Sequence, residues 1–285
     1  MRGLAPLRHQ RERIDAGTIA KRPDGGKEPL HVGTYATDVV TESSLAARAL
    51  ALLLEATESQ SVEHALIAES ATYSLLQAGP EHQAWLTART RRDRLDEGVE
   101  DPVLVRRVDD VLQLTLNRPH VHNAFCAAMR DALLDGLDIA LLDPSITAVH
   151  IDGAGPSFCS GGDLNEFGTL PDPATAHLIR VERSAGRAIH QLRERTTFVV
   201  HGSCVGAGVE LPAFAGHVVA RPDATFRLPE VGMGLVPGAG GTVSVPRRIG
   251  RERAEWLAVT GATIDAPTAL DWGLIDEIQD GGSTR

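Results

Sequence analysis

Twice along this chain a short apolar run gives way to a turn rich in glycine, and each turn leads to a carboxylate. The first unit is Ala148 to Asp152, followed by the loop from Gly153 to Asp163. The second is Phe198 to Val200, followed by Gly202 to Gly208 and then Glu210. Glycine permits positive φ and lets a ligand or another segment approach the backbone closely. A recurring order of strand, turn and helix implies βα units feeding a sheet. This pattern points to an α/β fold.

The chain divides into three parts. Residues 1 to 40 mix Arg, Gly, Pro and Lys with few periodic apolar positions, and they read as a flexible arm. Residues 41 to 101 read as a helical extension. Thr41 or Ser43 can cap a helix carrying Leu45, Leu50, Leu52 and Leu53. From Ser61 to Gln77 the helical spacing recurs with Val62, Leu66, Ile67, Ala71 and Leu75. Gly79-Pro80 breaks it, and Pro80 suits the first turn of a third helix to Leu95 that carries Trp85 and Leu86. The roles open to this part are packing, an oligomer contact or a lid over a ligand. Asp96 to Asp101 is polar and acidic, as a linker would be.

Residues 102 to 285 carry the repeating pattern. Val103 to Leu116 alternates and turns at Asp109-Asp110, which predicts a β-hairpin. Ala124 to Leu142 predicts a helix, with Met129, Leu133, Leu137 and Leu141 spaced by four. Asp143-Pro144 stops it. A second long helix is expected over Ala174 to Arg195, a further strand at Val218 and Val219, and helices over Arg251 to Thr260 and Ala266 to Trp272.

Composition excludes several classes. The formal net charge of -10 and an aromatic content of 4% argue against nucleic acid as a partner and against an anionic membrane surface. Lysine occurs only at Lys21 and Lys27, so a P-loop or Schiff-base lysine is absent from everything after them. The three cysteines, Cys126, Cys159 and Cys204, show no CxxC spacing and suit a reducing compartment, which points to the cytoplasm. No apolar run approaches the roughly eighteen residues of a membrane span. No metal site is expected.

The chemistry gathers in the two glycine turns. Each can aim a free backbone N–H at an oxyanion, and the first N–H groups of a helix after the turn have no internal partners. Glu210 in VGAGVELPAFA and Glu230 in RLPEVGMG are acids among apolar neighbours. Burial raises a carboxyl pKa toward neutrality and suits it to general acid/base work; a local structural cap is the other role open to each. Neither Cys159 nor Cys204 has a base near it in sequence, so both read as packing residues. His201 reads as a structural hydrogen-bonding group and Asp163 as a brace of its loop.

The segments LTLNRPHVHNAF, IDGAGPSFCSGGDL, VVHGSCVGAGVEL, FRLPEVGMGLVPGAGGT and ALDWGLIDEI resemble, in order and spacing, those of the crotonase superfamily, the enoyl-CoA hydratase/isomerase group. The resemblance runs from Val103 to Ile278. It implies a crotonase-like core of repeated ββα units wound into a spiral, here with an N-terminal helical extension and a truncated C-terminal helical region. It implies an acyl-CoA substrate whose thioester oxygen sits between the N–H groups of Gly162 and Ala207, the latter at a position usually glycine. Glu210 and Glu230 fall on the two glutamates of the hydratase members. Ser160, Gly161, Asp163, Leu164, Gly206 and Gly238 would line the substrate site by the same correspondence, and Arg118 would meet a CoA phosphate.

The activity implied is that of an enoyl-CoA hydratase, a lyase of fatty acid metabolism. Two N–H groups would stabilise the enolate-like oxyanion, at roughly 3 kcal/mol per donor, while the glutamates hold the water that adds across C2 and C3. No cofactor is expected beyond the CoA of the substrate. A homo-oligomer, trimer or hexamer, is the family expectation. The alternatives are another superfamily reaction on an acyl-CoA (isomerase, thioester hydrolase or cofactor-free oxygenase) or an idle scaffold subunit. Pro212 removes a backbone donor just after Glu210 and is expected to shift or kink the helix that carries it. The N-terminal helices are expected to take over part of the packing that C-terminal helices provide elsewhere in the family.

Overall fold

The computed structural model describes residues 44–90, 101–169 and 172–279. The expected arm and all but the last residue of the expected linker lie outside them. The first described elements are three helices, α1 (Leu45–Thr57), α2 (Val62–Gln77) and α3 (Pro80–Ala88). Ser44 caps α1, one residue beyond the expected Ser43, and Ser61 caps α2; each accepts a hydrogen bond from the N–H three residues on. Glu81 in α3 accepts from Leu45 N at 2.7 Å and Ala46 N at 3.1 Å, so a neighbouring helix completes the start of α1. The third helix ends at Ala88, where Arg89 turns extended with ψ 132, and its expected continuation over residues 91–95 lies outside the described residues. The buried stripe of α1 is Ala46, Ala47, Leu50, Leu53 and Leu54; Leu45 and Leu52 face outward, as do Ile67 and Leu75 of α2. Helices α1 and α2 share one apolar core with the sheets that follow.

The hairpin forms as expected, from β1 (Val103–Val108) and β2 (Val111–Leu116), with Val108 opposite Val111. Asp109 makes the turn at φ 55, a conformation Asp tolerates better than most residues. Leu112, Leu114 and Leu116 point inward from β2. Parallel to β2 run β3 (Ala148–Gly153) and β4 (Thr196–Val200), which are joined in the same sheet by β6 (His217–Ala220) and β9 (Glu277–Ile278), in the order β1-β2-β3-β4-β6-β9. A second sheet pairs β5 (Ser203–Val205) with β7 (Thr225–Arg227) in parallel and β7 with β8 (Thr263–Asp265) antiparallel.

Parallel neighbours need crossovers, and helices supply them. Between β2 and β3 lies α4 (Ala127–Leu142). It starts three residues later than expected, because Phe125 bridges to Gly162, with its N–H on Gly161 O at 2.8 Å, and Cys126 is extended with ψ 173. The long helix expected over Ala174 to Arg195 is broken. It consists of α5 (Pro173–Glu182), α6 (Ala185–Gln191) and a 3₁₀ turn, Arg193–Arg195, with Ser184 capping α6. After β5 comes a single turn, α7 (Ala207–Glu210), and a 3₁₀ turn opened by Pro212. Three further helices close the described chain: α8 (Gly241–Ile249), α9 (Arg251–Thr260) and α10 (Ala266–Trp272).

The two sheets meet where the glycine turns run side by side. Cys159 N donates to Ser203 O at 3.3 Å, and Val205 N donates to Cys159 O at 2.9 Å. A bridge of this kind demands close backbone approach. A Cβ on Gly208 would lie 2.4 Å from Cys159 O, and one on Gly202 2.2 Å from Pro156 O.

Candidate active site

Side by side, the turns carry Gly162 and Ala207 to the wall of one cavity of about 230 Å³. Gly161, at φ +93, reverses the first turn just before Gly162; Gly206, at φ +50, does the same before Ala207. Ala207 opens α7, so its N–H has no acceptor within the helix. Among the described residues, neither the Gly162 N–H nor the Ala207 N–H makes a hydrogen bond. Two unengaged backbone donors on one cavity wall suit a carbonyl oxygen that gains negative charge.

Glu210 and Glu230 line the same cavity. Glu210, 2% exposed, accepts at Oε2 from Ala239 N at 2.7 Å and Gly241 N at 2.8 Å. Burial pushes its carboxyl up to about 7, with those two N–H groups pulling the other way. Glu230 has no such support. Its Oε2 is buried without a partner, and burial followed by the charge of Glu210 raises its pKa well above the ordinary value. Pro212 does not disturb this arrangement. It takes the first position of the next 3₁₀ turn, where a missing N–H costs nothing, and Glu210 stays on α7.

A third acid, absent from the sequence expectations, comes from α2. Glu69 is 2% exposed and lines the cavity. It accepts from Gly240 N at 2.8 Å, Thr242 N at 2.9 Å and Thr242 Oγ1 at 2.7 Å. Burial and then the charge of Glu210 push it up to about 8, against those three donors. One turn on, Tyr73 also reaches the cavity; its ring packs so closely that a Cβ on Gly238 would lie 2.4 Å from it. Arg180 of α5 lies 4.4 Å from the centroid of that ring and bonds Ser70 and Ser74 of α2. The signal for Glu69 was its position. It falls on the helical stripe of Val62, Ala65 and Leu66, where an acid is out of place.

Of the remaining expected residues, Gly238 lines the cavity. Ser160, Gly161, Asp163, Leu164 and Gly206 lie in the turns beside it. Ser160 N donates to His122 O at 3.0 Å, and Leu164 is 47% exposed. Asp163 braces its loop as expected, accepting from Asn165 N at 3.0 Å. Arg118 requires a correction. It is 4% exposed and its Nη2 pairs with Asp163 Oδ2 at 3.0 Å, while Nη1 donates to Ala124 O. Its guanidinium is engaged in holding the first glycine loop. His201 bonds Gly155 O at 2.8 Å, a structural contact. Burial pushes the Cys159 thiol up to about 12 and Cys204 well above the usual range, so both stay protonated packing groups. Among the described residues no group of three His, Cys, Asp or Glu is placed to hold a metal ion, and no helix is long and apolar enough to cross a membrane.

Residues 106–280 match the family described as enoyl-CoA hydratase/isomerase. The chain is 35% identical over 176 residues to a 2,3-dehydroadipyl-CoA hydratase of Escherichia coli (strain K12), covering 62% of this chain and 68% of that protein. It is 36% identical over 174 residues to a 1,2-epoxyphenylacetyl-CoA isomerase of the same organism, covering 60% of this chain and 66% of that one. A solved structure of an enoyl-CoA hydratase from Mycobacterium smegmatis matches with a TM-score of 0.59 at 32% identity, covering 64% of this chain and 71% of that chain. Helices α1 to α3 lie before the residues that match the family.

Proposed function

The chain belongs to the enoyl-CoA hydratase/isomerase family, the crotonase superfamily, and from that premise we propose that it adds water to, or removes it from, the C2–C3 bond of an acyl-CoA thioester. The observation that carries the reading is the shared cavity. Two unengaged N–H groups, of Gly162 and Ala207, and two buried carboxyls, of Glu210 and Glu230, line one space.

The thioester oxygen accepts from both N–H groups, and the enolate that forms is held there at about 3 kcal/mol per donor. The environments of the two acids divide their roles. Glu210 has two N–H groups to stabilise its anion and takes the proton of water as the oxygen attacks C3. Glu230, without a partner for Oε2 and raised well above its ordinary value, keeps its proton and delivers it to C2. The CoA of the substrate is the one carrier this chemistry calls for. We read the protein as acting in the cytoplasm and as a homo-oligomer, in line with the family expectation.

The direct test follows loss of the conjugated thioester absorbance of a short 2-enoyl-CoA, with Glu210→Gln and Glu230→Gln as controls. Hydration by wild type, lost in both variants, supports the reading. Wild type that binds CoA esters yet leaves every chain length unhydrated overturns it in favour of another superfamily reaction. Wild type that binds none overturns it in favour of a scaffold.

A further inference from the structure

Four successive N–H groups alternate between two acids. Ala239 and Gly241 donate to Glu210; Gly240 and Thr242 donate to Glu69. The segment has little of its own to hold it. Gly240 sits at φ +104, Gly241 follows it, and Gly238 precedes Ala239, so few side chains fix the backbone. It leads into α8, whose first N–H groups lack partners within the helix and carry its positive end. Two carboxylates therefore do the work of a capping side chain, and one of them is the acid assigned to catalysis.

We propose that Glu69 is a positioning residue for Glu210. By holding Gly240 and Thr242 it keeps the N–H groups of Ala239 and Gly241 aimed at the Glu210 carboxylate, and the two acids titrate as one pair. The catalytic consequence rests on the hydratase reading; the pairing does not. Glu69 comes from α2, outside the residues that match the family, so this helix supplies part of the active-site machinery as well as packing. The charged and titratable groups facing the pair are Glu230, the Tyr73 phenol, the Arg180 guanidinium and the Cys159 thiol.

The decisive measurement needs no substrate. Carboxyl carbons of the full chain labelled with ¹³C-glutamate are followed by NMR across pH, with Glu69→Gln and Glu210→Gln giving the assignments. In wild type the two acids should titrate in two coupled steps. In each variant the survivor should titrate in one step, at least about half a pH unit below the same residue's apparent midpoint in wild type. Survivors with wild-type midpoints overturn the proposal. Should Glu69→Gln not fold, Thr242→Val keeps both acids and removes one donor to Glu69. It shifts both midpoints if they are paired, and Glu69 alone if they are not.

Kinetics read the positioning. Glu69→Gln should lower kcat about tenfold while KM stays within about twofold, with Thr242→Val losing less. A rise in KM at unchanged kcat, or wild-type kinetics, overturns the positioning role. If wild type hydrates no enoyl-CoA, the hydratase reading fails and the titration still decides the pairing.

Discussion

Gly206 makes room for Glu230. A Cβ at Gly206 would lie 2.5 Å from Glu230 Oε1, and the residue sits at φ +50, ψ -117, a conformation open mainly to glycine. One position thus serves both halves of the site: it aims the Ala207 N–H and leaves space for the second acid. Gly206→Ala should cost about 1–3 kcal/mol of stability through backbone strain. It should also lower kcat by more than that loss of folded protein explains, because the new methyl displaces Glu230. Thermal denaturation alongside kinetics on the folded fraction separates the two effects.

The two acids should be separable by substitution. Glu210→Gln and Glu230→Gln should each lower kcat by about 10²–10⁴-fold with modest change in KM, the range for loss of a general acid or base. The double variant should lose little more than the worse single one, since the two acids act together in one addition. Steady-state hydration kinetics check this.

Activity should depend on pH in a bell. Glu210, at about 7, must be ionised, which sets the acid limb near that value; Glu230, raised well above its ordinary value by burial and the charge of Glu210, must stay protonated, which sets the alkaline limb. Stability should run the other way. Both states are protonated below the ordinary value of 4.5, and as pH rises from there the unfolded chain ionises while folded Glu210 and Glu69 hold their protons up to about 7 and about 8. The folded state therefore loses stability across that window. The melting temperature of Glu210→Gln relative to wild type should rise as pH goes from about 4.5 to about 8.

Arg118 should prove structural. It and Asp163 form a buried pair at 3.0 Å with side chains 5% and 12% exposed. Arg118→Met leaves the acid buried without its partner and should cost about 3–5 kcal/mol. The same variant should leave the ratio of KM for CoA and pantetheine thioesters unchanged, because the guanidinium is engaged by Asp163 and Ala124 O. Denaturant unfolding and paired-substrate kinetics check both.

Much of this molecule was legible locally. The hairpin turning at Asp109, the helices over Arg251–Thr260 and Ala266–Trp272, and the break at Pro80 follow from turn chemistry and apolar periodicity between near neighbours. The resemblance in the glycine segments picked out Gly162, Ala207, Glu210 and Glu230, and all four line one cavity. Where local reading failed, a tertiary contact or a backbone constraint had overridden it. The long helix after Pro173 breaks at Ser184, which caps a new one, and the start of α4 is delayed by the bridge of Phe125 to Gly162.

The amino-acid order by itself determined the strands, the turns and the apolar setting of Glu210 and Glu230, since each depends on residues within a few positions. Only the tertiary structure decided what those acids meet. Glu69 lies 173 residues from Thr242 in the chain and bonds it at 2.9 Å, and Arg118 lies 45 from Asp163 and pairs with it. Such partners are chosen by how helices and turns pack around a shared core, and a buried charge is stable only where that packing brings donors to it.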